Sequence, residues 1–397
     1  MSRRLRIGVL NQVAEAGLRE LPASRYDVGV ALAEADAIVL RSAKLHDTPM
    51  PAGLLAIARA GAGTNNIPVA AMSERGVPVF NAPGANANAV KELVLAGMLM
   101  SARHLGEALQ HVRELDTTAP DLEVRIAQGK KRFAGTELSG RTLGVIGLGR
   151  IGSLVAQAAI DLGMSVVGHD PSITVDAAWS LPAQVRRAAD VPALMRACDY
   201  VSVHVPLLEA TRYLVGAQVL GQMRPHACLL NFSRAEVVDE AAVLAALDAG
   251  RMARYVCDFP TAANHRHPKV ISLPHLGAST GEAEENCAIM VVRQLRDYLE
   301  HGNVRNAVNF PMVDMARESP WRLAIAHANM PNMVGQISTE MAGAQLNIHN
   351  MINKSRGEVA YTLVDVDSAV NDRVIAALKD INGVLAVRYL LLDPPTS

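Results

Sequence analysis

The sequence has few aromatic residues, few cysteines and no excess of either charge. Aromatic residues make up 4% of its 397 residues, there are four cysteines, and the formal net charge is −1. This charge balance gives no reason to expect a nucleic acid or an anionic membrane as a partner. Half of the residues are hydrophobic, however, so the chain can bury sizeable cores, and its length predicts two or three domains.

The spacing of the cysteines and the shortness of the apolar runs argue against further classes of protein. Cys198, Cys228, Cys257 and Cys287 lie about 30 residues apart without a CxxC pair. We therefore expect reduced, mostly buried thiols and no metal site. No apolar run approaches the roughly 20 residues of a membrane helix. The run within Met1 to Leu10 is too short for a signal peptide, so we expect a cytoplasmic protein.

The clearest positive feature is a glycine-rich turn that joins an apolar strand to a helix. The turn has the form Gly147-x-Gly149-x-x-Gly152, and an apolar pattern of helical period follows it. A second apolar strand, 165–168, leads to Asp170. Glycines in this pattern permit a tight turn, close approach of a pyrophosphate and close packing of helix on strand. The pattern predicts a dinucleotide site, and Asp170, which would bind ribose hydroxyls and repel a 2′-phosphate, favours NAD over NADP.

Short apolar segments separated by helical patterns predict a small parallel α/β domain before this turn. The predicted strands are Arg6–Leu10, Ala37–Leu40, Leu54–Ala60 and Val77–Phe80. Three loops that follow strands carry polar groups or free N–H groups, namely Arg41-Ser42-Ala43-Lys44, Gly61–Asn66 and Asn81-Ala82-Pro83-Gly84. Each loop taken singly fits ordinary turn chemistry. Because ligands bind at the carboxyl ends of strands in such sheets, we expect the three loops to form a binding site together.

The alternation of strands and helices continues after Asp170, and two residues there suit the oxidation of an alcohol. Arg234 and His275 both follow predicted strands. An arginine can clamp a carboxylate and polarise the neighbouring carbonyl group. A histidine, whose pKa is ordinarily about 6.5, can take up the hydroxyl proton near neutral pH. Each residue alone would also fit a structural role, but their shared place at strand ends favours a functional one.

The last part of the chain has a different rhythm. After a linker at 311–320 that contains two prolines, the pattern from Trp321 to Asp393 is strand, helix, strand, strand, helix, strand. This βαββαβ order is typical of a ferredoxin-like domain. The segment contains neither a glycine fingerprint nor a catalytic constellation, which favours a regulatory or assembly module.

Six motifs, in their order and spacing, resemble the D-2-hydroxyacid dehydrogenase family in its branch with a C-terminal ACT domain. The motifs are Gly61-Ala-Gly-Thr-Asn-Asn66, Val79-Phe-Asn-Ala-Pro-Gly84, Leu143-Gly-Val-Ile-Gly-Leu-Gly-Arg-Ile-Gly152, His204-Val-Pro206, Asn231-Phe-Ser-Arg234 with Val238-Asp-Glu240, and Leu273-Pro-His-Leu-Gly-Ala-Ser-Thr280. The resemblance implies two doubly wound parallel-sheet domains, a Rossmann-type NAD domain and a flavodoxin-like substrate domain, and a ferredoxin-like ACT domain. The implied bounds are 1–90 with 279–312 for the substrate domain, 91–278 for the NAD domain and 320–397 for the ACT domain.

The resemblance also implies a reaction. It suggests NAD-dependent oxidation of 3-phospho-D-glycerate to 3-phosphohydroxypyruvate, the first step of L-serine biosynthesis, with L-serine as an effector of the ACT domain. It also implies that the chain forms a homodimer or homotetramer. Two alternatives stay open, namely a dehydrogenase of another small D-2-hydroxy acid and a NAD-bound amino-acid sensor with weakened catalysis.

The resemblance further assigns roles to individual residues. Arg234 would orient the substrate and His275 would shuttle the proton. The NAD site would be lined by Gly147, Gly149, Arg150, Ile151, Gly152, Asp170, His204, Pro206, Phe232, Ser233, Arg234, Asp258, His275, Gly277 and Ala278. The substrate would meet Arg41 and Ser42 at its phosphate, with Lys44 as a helper, and also Ala62, Gly63 and Asn81. L-Serine would bind to His327, Asn329 and Asn347 across an interface between ACT domains, although these polar residues would also serve to cap turns.

The chain departs from the family pattern at one catalytic position. Family members carry a glutamate that orients the catalytic histidine and raises its pKa, whereas the run Cys257–Asn264 has no acid after Asp258. We therefore expect another acid or ordered water to support His275. In the ACT loop Asn332 replaces the usual glycine, and asparagine can also adopt the left-handed backbone conformation.

Overall fold

The computed structural model describes residues 3–391, which form two compact units. The second unit is Asn86–Thr280, and the first unit combines the described residues up to Ala85 with those from Gly281 onward. The predicted domains 1–90 and 320–397 include residues 1–2 and 392–397, which lie outside the described residues. The division into three domains with these bounds stays a prediction. No helix among residues 3–391 is long and apolar enough to cross a membrane.

A five-stranded parallel sheet forms the amino-terminal part of the first unit. Its elements are β1 (Leu5–Leu10), α1 (Glu15–Leu18), β2 (Tyr26–Val30), β3 (Ala37–Leu40), β4 (Ala56–Arg59), α2 (Val69–Glu74) and β5 (Val79–Phe80). The strand order β2-β1-β3-β4-β5 is that of a flavodoxin-like sheet, which confirms the predicted class. The sequence pattern does not indicate β2, because this edge strand fully buries only Tyr26.

A seven-stranded parallel sheet forms the core of the second unit. Its elements are α3 (Ala87–Ala102), α4 (Leu105–Arg113), α5 (Leu122–Arg132), β6 (Thr142–Ile146), α6 (Arg150–Asp161), β7 (Ser165–His169), α7 (Val175–Trp179), β8 (Arg186–Arg187), α8 (Val191–Ala197), β9 (Tyr200–Val203), α9 (Ala217–Leu220), β10 (Cys228–Asn231), α10 (Glu240–Asp248), β11 (Arg254–Cys257) and β12 (Val270–Ser272). The strand order β12-β11-β10-β9-β6-β7-β8 is of the Rossmann type, as predicted. The central strands β9 and β10 are buried along their whole length, because apolar cores lie on both faces of the sheet.

The cysteines are core residues. All four are free and buried, which confirms the expected thiols. Burial raises the pKa of Cys198 and Cys228 to about 12, so both thiols stay protonated at neutral pH. They therefore behave as small apolar side chains.

A four-stranded antiparallel sheet follows in the first unit, after the long helix α11 (Gly281–His301). Its elements are β13 (Trp321–Ala328), α12 (Met333–Gly343), β14 (Ile348–Arg356), β15 (Val359–Val366), α13 (Asp372–Asp380) and β16 (Val384–Leu391). The strand order β14-β15-β13-β16 and the βαββαβ sequence of elements confirm the ferredoxin-like arrangement.

Both faces of this antiparallel sheet are buried. Leu323 on one face belongs to a core that includes Ile337 of α12 and Leu378 of α13. Ala324 on the other face belongs to a core that includes Leu295 of α11 and residues of the five-stranded sheet. The antiparallel sheet and its helices, 321–391, which we call the tail, therefore share a hydrophobic core with the five-stranded sheet.

A buried ion pair fastens the antiparallel sheet to the end of α11. The guanidinium of Arg322 is fully buried, and its Nε and Nη2 atoms donate to the two carboxylate oxygens of Asp365 at 2.6 and 2.8 Å. The other N–H groups donate to the carbonyl oxygens of His301, Met315 and Ala316. All five donors of the guanidinium are used, which offsets much of the cost of burying its charge.

Breaking this ion pair should destabilise the protein strongly. Arg322→Met leaves the Asp365 carboxylate buried without its partner, so we expect the free energy of unfolding to fall by about 3 to 5 kcal/mol. Denaturation in urea followed by circular dichroism would measure the change. The control is Arg305→Met, which removes a half-exposed ion pair with Asp314 and should cost less than about 1 kcal/mol. Equal losses in the two variants would contradict a special role for Arg322.

Candidate active site

The residues predicted for the NAD site all lie just beyond the carboxyl ends of strands in the seven-stranded sheet. Because these strands are parallel, the loops that follow them meet at one edge of the sheet. In strand order they are 147–152 after β6, Asp170 after β7, His204 and Pro206 after β9, 232–234 after β10, Asp258 after β11, and His275, Gly277 and Ala278 after β12.

The glycine turn leaves room for a ligand at the start of α6. Gly147 has a φ of +90°, and a Cβ atom on Gly152 would lie 2.0 Å from the Gly147 carbonyl oxygen. Gly149 is the residue before the helix, and a Cβ atom there would meet nothing within 4 Å. No side-chain hydrogen bond from Gly149 caps the first N–H groups of the helix. Such a helix start fits the pyrophosphate of a dinucleotide.

Asp170 holds the far side of this turn. Its Oδ2 atom accepts the N–H of Leu148 and its Oδ1 atom accepts the N–H of Ser172, both at 2.9 Å. Each carboxylate oxygen keeps lone pairs that can accept hydrogen bonds from ribose hydroxyls. The same negative charge would repel a phosphate at the ribose 2′ position, so the geometry suits NAD.

His204 supplies a neutral ring beside the turn. Its backbone carbonyl carbon would lie 2.9 Å from a Cβ atom on Gly147. Its Nε2 atom shares a hydrogen bond of 2.8 Å with Ser202 Oγ, whereas its Nδ1 atom is buried and has no partner among the described residues. Burial lowers the pKa of His204 to about 4, so the ring is uncharged at neutral pH.

Asn231 positions the loop that carries Arg234, a role that no sequence pattern indicates. Its side chain is fully buried and its Oδ1 atom accepts hydrogen bonds from the N–H and the hydroxyl of Ser233. Its Nδ2 atom donates to the carbonyl oxygen of Arg234 at 2.9 Å. The Arg234 side chain itself is exposed, and it donates within the described chain only to the Ser233 carbonyl oxygen. Most of its N–H groups are therefore open to an anionic ligand.

Asp258 positions the loop that carries His275. Its carboxylate is buried and accepts the N–H groups of Leu276 and Gly277, both at 2.7 Å. His275 has a φ of +59°, a left-handed conformation that is rare for a residue with a side chain. Backbone strain of this kind is found at functional sites, where the surrounding structure holds it in place. The exposed imidazole lies edge-on to Phe259, with ring centroids 5.3 Å apart.

No acid forms a hydrogen bond or ion pair with His275, as the family glutamate would, within residues 3–391. The His275 ring forms no hydrogen bond or ion pair there, so the acid or water that we expect to support it stays a prediction. The segment Cys257–Asn264, where the glutamate is missing, is held by Asn264. This side chain is buried, and its Nδ2 atom donates to the Phe259 carbonyl oxygen and to Glu240 Oε1. Thr261 donates to the same Glu240 oxygen at 2.8 Å. Glu240 thus fixes the segment that carries Phe259.

The polar loops of the first unit are joined to one another at the carboxyl edge of the five-stranded sheet. The Arg41 carbonyl oxygen accepts Arg59 Nε at 3.1 Å, and the buried Asn66 side chain donates to the Ala43 carbonyl oxygen at 2.7 Å. Asn81 donates from its side chain to the Ala62 carbonyl oxygen at 2.5 Å. Predicted substrate residues from three different loops are thereby brought together. No local sequence pattern predicts these contacts of Asn66 and Arg59.

Two further predicted substrate residues, Ser42 and Lys44, have exposed side chains, and the Ala62–Gly63 turn is half-buried. The Arg41 guanidinium is half-exposed, and its Nη1 atom lies 2.7 Å from the Oε1 atom of Glu284 in α11. Glu284 lies more than 200 residues further along the chain, so no local pattern indicates this contact.

The predicted effector residues are divided between the two ends of the antiparallel sheet. His327 and Asn329 lie at the end of β13, whereas Asn347 precedes β14. In the sheet register, Trp321 and Ile348 both pair with Val366, so Asn347 is level with the beginning of β13, on the other side of β15. From the level of Asn347 to His327 is seven residues along the chain, a distance of about 23 Å.

The polar atoms at these two ends have different surroundings. His327 is buried, with Nδ1 2.8 Å from the Ala328 carbonyl oxygen and Nε2 3.0 Å from Thr362 Oγ1. Asn329 and Asn347 are exposed. Asn332 has a φ of 64°, which confirms the left-handed conformation expected where glycine is usual.

Comparison with known proteins defines the class. Residues 95–277 match the family described as the D-isomer specific 2-hydroxyacid dehydrogenase, NAD binding domain. The D-3-phosphoglycerate dehydrogenase of Synechocystis sp. is 35% identical over 314 residues, which are 77% of this chain and 54% of that protein. The D-3-phosphoglycerate dehydrogenase of Haemophilus influenzae is 31% identical over 341 residues, 83% of this chain and 79% of that one. A NADPH-dependent glyoxylate/hydroxypyruvate reductase from Sinorhizobium meliloti shares the fold, with a TM-score of 0.65 and 24% identity over 78% of this chain and 100% of its own.

The chain belongs to the D-isomer specific 2-hydroxyacid dehydrogenase family, and its second unit contains the NAD-binding domain of that family. Within the family it is similar to D-3-phosphoglycerate dehydrogenases at 31–35% identity. It spans about half the length, 54%, of the Synechocystis relative. The family resemblance drawn from the motifs is thus confirmed.

Two glycine substitutions should separate folding from NAD binding. Gly149→Ala places a methyl group in open space, so the midpoint of thermal unfolding should stay unchanged while the Kd for NAD rises at least about tenfold, because the pyrophosphate approaches there. Gly152→Ala places a methyl group against the Gly147 carbonyl oxygen and should lower both stability and NAD affinity. Fluorescence titration with NAD and differential scanning calorimetry would measure the two quantities. An unchanged Kd in Gly149→Ala would refute the assignment of the pyrophosphate to this turn.

Proposed function

We propose that the protein oxidises 3-phospho-D-glycerate at C2 to 3-phosphohydroxypyruvate with NAD, the first step of L-serine biosynthesis. The observation that carries this proposal is the identity of 31–35% with D-3-phosphoglycerate dehydrogenases, over most of this chain. The cation-bearing loop after β3, which includes Arg41, Ser42 and Lys44, supports a phosphorylated substrate.

The ends of the substrate are bound by different groups. Arg41 and Ser42 hold the phosphate, with Lys44 as an additional cation. The Ala62–Gly63 turn offers N–H groups to the carboxylate, and Asn81 holds that turn through its hydrogen bond to the Ala62 carbonyl oxygen. Arg234, whose guanidinium is exposed and mostly unpaired, clamps the carboxylate and polarises the carbonyl group that forms at C2.

The reaction removes a proton from the C2 hydroxyl and a hydride from C2. NAD, when bound, supplies the hydride acceptor. A ring nitrogen of His275 takes the hydroxyl proton as general base, and the same imidazolium returns it when the reaction runs in reverse. Asp258 holds the His275 loop through the Leu276 and Gly277 N–H groups, so the base is pre-positioned at little entropic cost.

Activity measurements on three variants test this proposal. Purified protein with NAD and 3-phosphoglycerate should produce the absorbance of reduced nicotinamide. His275→Gln should lower kcat by about 10²- to 10⁴-fold, because the general base is lost. Arg234→Gln should lower kcat/KM by about 10²-fold, because carboxylate binding and carbonyl polarisation are lost. The exposed Arg251→Gln serves as control and should change neither parameter.

Folded parent protein that shows no turnover in either direction would overturn the proposed activity. The alternative is a NAD-bound sensor of amino acids. The lack of an acid bonded to His275 favours this alternative, because it would weaken His275 as a general base. Turnover of an unphosphorylated 2-hydroxy acid in preference to 3-phosphoglycerate would point instead to another dehydrogenase of the family.

We also propose that L-serine regulates the protein as an effector bound between two copies of the chain. His327 and Asn329 lie about 23 Å along the strand from Asn347, so a single chain does not bring the three together. Two copies that meet at this sheet would complete the site. An apolar surface on α4 also supports assembly, because Leu109 and Val112 are 57% and 61% exposed on one helical face. The expected assembly is a homodimer or homotetramer, and the four free buried thiols fit a cytoplasmic location.

Asn347→Ala should weaken the response to serine without lowering basal activity. Loss of a hydrogen bond to a charged ligand should raise the inhibitory concentration of L-serine about tenfold or more. Asn350→Ala, three residues further along in β14, is the matched control and should respond to serine like the unsubstituted (parent) protein. An unchanged serine response in Asn347→Ala, or a monomeric parent in sedimentation velocity, would contradict the two-copy site.

A further inference from the structure

The guanidinium predicted to bind the substrate phosphate already has an anionic partner within the first unit. Arg41 Nη1 lies 2.7 Å from Glu284 Oε1, and the two side chains are 36% and 41% exposed. Arg41 follows β3 and Glu284 lies in the first turn of α11, so the fold itself brings them together. The pair lies where solvent and a ligand can both reach it.

A second arginine, Arg59, contacts the loop that carries Arg41. Arg59 donates from Nε to the Arg41 carbonyl oxygen, and Arg41, Arg59 and Glu284 all influence the pKa of the nearby Cys287 thiol. Burial, the largest cause, raises that pKa, so the thiol stays neutral. Glu284 and the two arginines thus all lie near the Cys287 thiol.

We propose that Glu284 is a specificity-determining residue, whose carboxylate competes with the substrate phosphate for the Arg41 guanidinium. The inference rests on the proposed function in that it requires Arg41 to bind the phosphate. The ion pair neutralises Arg41 in the free protein, and a phosphate that carries nearly two negative charges must approach a carboxylate as well as a cation. An unphosphorylated 2-hydroxy acid avoids this repulsion. Glu284 therefore weakens binding of phosphorylated substrate selectively.

A single isosteric substitution separates the charge of Glu284 from its contact with Arg41. In Glu284→Gln the amide oxygen can still accept a hydrogen bond from Arg41 Nη1, so the arginine keeps its position while the negative charge is lost. Competition by the side chain is then reduced. We expect KM for 3-phosphoglycerate and the inhibition constant of inorganic phosphate each to fall about threefold to tenfold, with kcat within twofold of the parent.

The matched control is Glu285→Gln, which removes the same charge one residue further along α11. Glu285 is exposed and forms no ion pair within residues 3–391. This control should leave both constants unchanged, which excludes a general effect of net charge. Inhibition by D-glycerate, which lacks the phosphate, should be unaffected by either substitution. Steady-state kinetics with saturating NAD on the full-length protein would provide all of these values.

The outcomes distinguish this inference from the activity on which it rests. The competition is wrong if the parent turns over 3-phosphoglycerate and Arg41→Ala impairs it, yet Glu284→Gln binds phosphate no better than Glu285→Gln. It is also wrong if Glu284→Gln weakens phosphate binding, because the carboxylate would then orient Arg41 for the substrate. If the parent fails to turn over 3-phosphoglycerate, or if Arg41→Ala leaves phosphate inhibition unchanged, the proposed phosphate site fails and the competition fails with it.

Discussion

The parallel alignment of strands is the constraint on which the candidate site depends. In a parallel sheet every strand delivers the loop that follows it to the same edge, whatever the separation in sequence. The glycine turn after β6 and His275 after β12 are more than 120 residues apart, yet both lie at the carboxyl edge of one sheet. The five-stranded sheet applies the same rule to the loops of Arg41 and Asn81. Each unit thus gathers its own functional groups without any need for them to be near in sequence.

Buried polar residues convert this coarse placement into defined loop geometry. Asn231 fixes the Arg234 loop through three hydrogen bonds, and Asp258 fixes the His275 loop through two. Asn66 performs the equivalent task for the Arg41 loop. Because a buried polar group that loses its partner is costly, these contacts resist alternative loop conformations. Exposed side chains such as Arg234 then remain available for a ligand, because the buried polar residues fix the loop conformations.

Sequence patterns predicted those features that depend on local periodicity or on steric necessity. Most strands of the two parallel sheets, the βαββαβ order of the last part of the chain and the left-handed Asn332 follow from apolar spacing and from the known tolerance of asparagine for positive φ. The edge strand β2 has little apolar pattern because it buries little. The Arg41–Glu284 pair and the Arg322–Asp365 pair were beyond prediction, since each joins charged residues distant in sequence that only the folded chain brings together.

The burial of Arg322 shows why the tail is structurally continuous with the amino-terminal sheet. Its guanidinium reaches out of β13 to the backbone of His301 and Met315, so the antiparallel sheet is bonded directly to the end of α11. Tyr361 of β15 adds a hydrogen bond to the Gly302 carbonyl oxygen, and a Cβ atom on Gly302 would lie 2.8 Å from Leu363. Helix α11 carries Glu284 at its other end and packs against the five-stranded sheet. A displacement of the antiparallel sheet would therefore either move this helix or break buried polar contacts. Helix α11 thus connects the antiparallel sheet mechanically to the region of the Arg41 loop.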